Sequence, residues 1–147
     1  GTNGLMTKEG TDTYGAQVAY STDNYGASVT YADTDSATAW GLNGYYTFDD
    51  ASLPSLSVGY EFTENEGTTK DQTQWFAGLQ WDEVGAGTLG AALGTYGHIA
   101  DGATEYYMYE AFYSYPMNDG MTLTPGVFVK EGTSDETGVA VKTSFSF

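Results

Sequence analysis

Six polar side chains, Glu61, Gln74, His98, Glu110, Lys130 and Lys142, stand in segments where residues of opposite character alternate. Period-two geometry turns each of them away from the apolar residue beside it, Tyr60 and Phe62, Trp75, Ile99, Tyr109, Val129 or Val141, so all six could share one surface. Several kinds of chemistry need testing against them. A hydrolase would need a nucleophile beside His98, the sole histidine. No GxSxG or HExxH is present, and Asp101 or a distant acid would have to partner His98 by coincidence. The expectation is no enzyme and no cofactor. Asp33-Thr34-Asp35, Asp49-Asp50 and Asn118-Asp119-Gly120 offer oxygens to a divalent cation, but none forms a twelve-residue calcium loop, so no metal site is expected. Asn118-Asp119-Gly120 reads more simply as a hairpin turn. What remains is electrostatic work: fixed charges along a wetted surface that attract or repel ions. The competing reading pairs Lys130 and Lys142 with nearby carboxylates as structural contacts.

The chain that must position these groups has 147 residues, enough for one domain. Its apolar content is unusual in kind: 13 Tyr, 7 Phe and 3 Trp stand beside 20 Gly and only 3 Pro, a composition suited to strands and tight turns. Twenty acidic residues against four Lys give a net charge of -16, which argues against a nucleic-acid partner and makes cations the natural counter-species. Cysteine is absent, which removes disulfides and thiolate chemistry. No run reaches the roughly 18 apolar residues of a membrane helix.

Turn-forming clusters divide the chain into nine alternating segments, approximately 11–22, 25–33, 37–48, 55–63, 70–81, 87–99, 105–116, 121–131 and 137–147, and the first eight residues could add a short tenth strand or a loop. In one phase stand Tyr14, Val18, Leu56, Val58, Trp75, Leu79, Trp81, Tyr113 and Val127; the opposite phase holds mostly Gly, Ser, Thr and Gln. A soluble sandwich also alternates. The aromatic-rich apolar phase and the small, weakly polar opposite phase instead suggest a transmembrane antiparallel β-barrel. Pro125 predicts a bulge or kink in its strand. The last segment, GVAVKTSFSF, places Val139, Val141, Phe145 and Phe147 on one side and Lys142 on the other.

That ending, with apolar residues at alternate positions and a terminal Phe147, resembles the assembly signal of outer-membrane barrels. The stretches QTQWFAGLQWDEV (72–84), YEAFYSYPMNDGMTLTPGVFVKEG (109–132) and GLMTKEGTDTYGAQVAYSTDNYGASVTYA (4–32) resemble cyanobacterial porins of the OprB-like carbohydrate-selective group, often labelled iron-uptake porins. The resemblance implies an all-β, up-and-down transmembrane barrel of about sixteen strands. It also implies an outer-membrane location, contact with lipid bilayer and lipopolysaccharide, and a homotrimer. The family has a longer chain with an N-terminal surface-layer-homology domain, which has no counterpart here. An odd count of nine strands agrees with 1–147 being the C-terminal portion of a larger barrel, a complete ten-stranded barrel being the alternative.

The expected function is therefore passive diffusion of small hydrophilic solutes and inorganic ions, with cations favoured. Glu61, Gln74, His98, Glu110, Lys130 and Lys142 would line the pore, while Val139, Val141, Phe145 and Phe147 would face the membrane or serve as the assembly signal. Acidic connections, among them Asp33, Asp35, Glu64, Glu66 and Asp101 at one end and Asp23, Asp49, Asp50, Asp82 and Asp119 at the other, would make both mouths negative. The rival from another class is a secreted or surface β-sheet adhesin or fibre subunit, whose Tyr-rich face would be a core or contact surface.

Overall fold

The computed structural model describes residues 12–146. It forms one antiparallel sheet of ten strands: β1 (Thr13–Ser21), β2 (Tyr25–Thr34), β3 (Ala37–Tyr46), β4 (Ser55–Asn65), β5 (Gln72–Val84), β6 (Gly87–Thr95), β7 (Ile99–Ala100), β8 (Tyr107–Asn118), β9 (Met121–Lys130) and β10 (Glu136–Phe145). Each long strand pairs with its neighbour in sequence, and the two-residue β7 pairs with β5. The long strands run from 9 to 13 residues, the length that crosses a bilayer when tilted. All nine sequence segments correspond to long strands. The possible extra strand in the first eight residues, and Phe147, lie outside the described residues.

Register fixes which side chains share a face. Tyr31 opposes Trp40, which opposes Phe62; Leu42 opposes Tyr60, which opposes Trp75. Trp81 opposes Leu89, and Leu89 opposes Tyr113. This apolar face continues through Tyr115, Leu123 and Thr143 to Phe145 two residues on. On the other face, Thr30 opposes Gly41, Gly41 opposes Glu61, and Glu61 opposes Gln74.

The burial pattern is the reverse of a soluble protein's. Among the described residues no hydrophobic side chain is buried, and Val139, Val141 and Phe145 are 75%, 63% and 62% exposed. The buried ones among the described residues are five glycines: Gly26, Gly59, Gly87, Gly90 and Gly94. A sandwich requires a second layer over the apolar face, and the described residues supply one sheet only. The apolar face is thus left without protein cover among the described residues.

Two expectations need correction. Pro125 makes no bulge: Phe112–Gly126 and Tyr115–Leu123 keep one register on either side of it, although the β8–β9 pairing is interrupted between them. Proline has no N–H to give the ladder, and a 3.1 Å bond between the Ser114 and Thr124 hydroxyls ties β8 to β9 beside it. The irregularity falls instead between Pro116 and Asn118, beside the hairpin. The 87–99 segment, moreover, is not continuous, because β6 ends at Thr95 and pairing resumes only at Ile99.

Turns are held by short side chains. Asn118 Oδ1 accepts from the Gly120 amide at 3.0 Å. Gly85, at φ 63°, takes the left-handed geometry of the β5–β6 turn, and the Tyr113 hydroxyl donates to the Val84 carbonyl at 2.7 Å beside it. In the β3–β4 turn the Ser52 hydroxyl and amide both donate to Asp50, holding its carboxyl below the usual carboxylate range.

Candidate functional site: the polar face of the sheet

The alternating hairpins bring four connections to each end of the sheet. At one end lie the β2–β3, β4–β5, β6–β8 and β9–β10 connections. Here the long β6–β8 connection is tied to its neighbour, since the Asp101 amide donates to the Asp71 carbonyl at 2.7 Å and Lys70 Nζ to the Asp101 carbonyl at 2.8 Å.

The sequence-predicted residues divide into two groups on the polar face. Glu61 and Gln74 are cross-strand partners, and Gln74 Nε2 donates to Glu61 Oε2 at 3.3 Å. His98 Nε2 lies 2.8 Å from Glu61 Oε1, although its own segment is two strands away. Asn43, Gly59, Phe76 and Thr95 border the same shallow depression. The second group centres on Glu110 and Lys142, which flank a depression with Phe112, Thr124 and Phe128. Lys130 stands apart from both, ion-paired to Glu136 at 2.6 Å, as the structural reading of that lysine anticipated. No carboxylate partner for Lys142 is found among the described residues. Val139, Val141 and Phe145 occupy the opposite, apolar face.

Sequence reasoning missed the role of the polar-face aromatics. Tyr45, Phe76, Phe112 and Phe128 stand directly opposite Gly26, Gly59, Gly90 and Gly138. At each pair a Cβ added to the glycine would collide with the ring, which therefore lies flat over the neighbouring strand. The wall is thus coated with rings lying along it rather than projecting from it. Three carboxylates were also overlooked: Asp71 accepts from the Asn65 amide at 2.9 Å, Glu105 from the Tyr107 hydroxyl at 2.6 Å, and Glu131 from the Tyr109 hydroxyl at 3.1 Å. Their signal was available, since each stands within a few residues of a strand end.

The chain, whose described residues form a strand wall with one apolar and one polar face, matches a family model described as Gram-negative porin over residues 1–137. The chain belongs to the Gram-negative porins. As a porin it is an outer-membrane protein that supports passive diffusion, and it is a channel component rather than an enzyme. Among solved structures, a KdgM porin superposes with a TM-score of 0.50 at 15% identity, covering 90% of this porin and 75% of that chain. At that identity the likeness concerns the fold alone. No curated protein matches the sequence.

Proposed function

We propose that the polar face lines a water-filled pore that favours cations, with Glu61, Gln74, His98, Glu110, Lys130 and Lys142 along its wall. The observation that carries this reading is the separation of faces: Val, Leu and the Trp residues, with many of the tyrosines, lie on one face without cover among the described residues, and the charged strand residues named here lie on the other, beside the flat-lying rings of Tyr45, Phe76, Phe112 and Phe128. A net charge of -16, concentrated in the connections, raises the local concentration of cations and lowers that of anions.

The wall closes with further strands in this reading. Every consecutive long-strand pair is antiparallel, so β1 and β10 run in the same direction, and a wholly antiparallel closure takes an odd number of additional strands. That parity suits the larger barrel of about sixteen strands implied by the resemblance to OprB-like cyanobacterial porins, with this chain as its C-terminal portion. The same resemblance supports a homotrimer in contact with lipopolysaccharide and, as solutes, inorganic ions including iron species or sugars.

Planar-bilayer recording of the full-length porin tests the reading. Channels with a reversal potential displaced toward the potassium equilibrium potential in a KCl gradient are expected, and the displacement should shrink as salt screens the mouths. A displacement toward chloride would remove the cation preference, and absence of channels across several salts would remove the pore.

A further inference from the structure

The β6–β7 interruption does more than break a strand. Between the pairs Phe76–Gly94 and Thr73–Ile99, β5 advances three residues while its partner advances five, so two extra residues are bulged out of the ladder. The Thr95 hydroxyl bridges the gap by accepting from the Trp75 amide at 3.1 Å, and Gly97 at φ 80° permits the tight reversal.

The bulge aims its two side chains in opposite directions along the polar face. His98 crosses β5 to reach Glu61 on β4 at 2.8 Å. Tyr96, its amide donating to the Tyr106 carbonyl at 2.8 Å, turns the other way and places its ring 5.2 Å beneath Lys130 Nζ on β9. Lys130 continues to Glu136 on β10. Together with Gln74 on β5, these groups form a transverse belt at one level, from β4 to β10.

We propose that the Tyr96-Gly97-His98 bulge is the specificity-determining element of the pore, and this rests on the pore reading above. His98 and Gln74 hold both oxygens of Glu61, fixing one carboxylate as the group that permeating cations meet. Tyr96 and Glu136 hold the Lys130 ammonium against the wall and offset its charge, so it does not repel them. His98 and Tyr96 are positioning residues in this scheme, and Glu61 is the contact group.

The test is reversal potential in a KCl gradient for the full-length porin, with heat-modifiable gel mobility as the control for folding. Deleting Gly97 and His98 together removes the two-residue excess and restores a continuous ladder, and the potassium-to-chloride permeability ratio should fall by roughly twofold to fivefold. His98→Ala should lower it in the same direction, His98→Gln should largely restore it by keeping a donor toward Glu61, and Glu61→Gln should match the deletion. If the deletion does not assemble, the point substitutions decide. An unchanged ratio in His98→Ala and Glu61→Gln, with channels still formed, overturns the proposal. Absence of channels from the unaltered porin would instead overturn the pore reading on which it rests.

Discussion

Replacing Val29 with arginine is expected to cost about 2–4 kcal/mol of stability in lipid, whereas arginine one residue along, at Thr30, should change stability by no more than about 1 kcal/mol. Val29 lies near the middle of β2 on the apolar face, opposite Leu42 and Val18. A charge there must be buried in hydrocarbon or reach a distant interface. Thr30 faces the other way, opposite Gly41 and accepting from Gln17 Nε2 at 3.0 Å, so its replacement loses one exposed hydrogen bond and gains a solvated charge. Guanidinium unfolding of the vesicle-embedded porin, followed by tryptophan fluorescence, measures both. Equal costs at the two positions would show that the faces do not meet different solvents.

The second large effect concerns the flat aromatics. Gly59→Val should destabilise the porin by about 1–3 kcal/mol, because the new side chain must displace the Phe76 ring that covers this position. The ring can escape away from the wall, into the space above the polar face. Single-channel conductance should fall along with stability. Gly59→Val combined with Phe76→Ala should recover conductance, and the non-additive part of the double-mutant cycle measures the ring-on-glycine contact. A Gly59→Val channel of unchanged conductance would mean the ring does not border the permeation path.

The strands and their phase were legible because alternation is a local signal, carried by residues such as Leu56, Val58, Tyr60 and Phe62 within a single segment. The faces of Glu61, Gln74, Glu110, Lys130 and Lys142 followed from the same signal. Their contacts did not, because contacts depend on register between strands. Nothing in the order of residues says that Gly59 stands opposite Phe76, or that Gly138 stands opposite Phe128. His98 was harder still. Read as part of one continuous 87–99 segment, it would occupy an ordinary ladder position, and only the paired register of β5 shows the extra residues that carry it to Glu61. Pro125 illustrates the complementary case: its lost donor was evident and the pairing is interrupted there, but whether the register shifts depends on the partner strand, and it does not.

The size of the β6–β7 insertion also matters to how such a wall can change. Because the excess is two residues, Ile99 returns to the side it would have taken without the bulge, opposite Thr73 and in step with Leu93. An odd excess would turn every later residue of that strand inside out. Insertions in pairs therefore act as in-frame edits of a two-letter code, able to remodel what solutes encounter while the membrane still reads the same message.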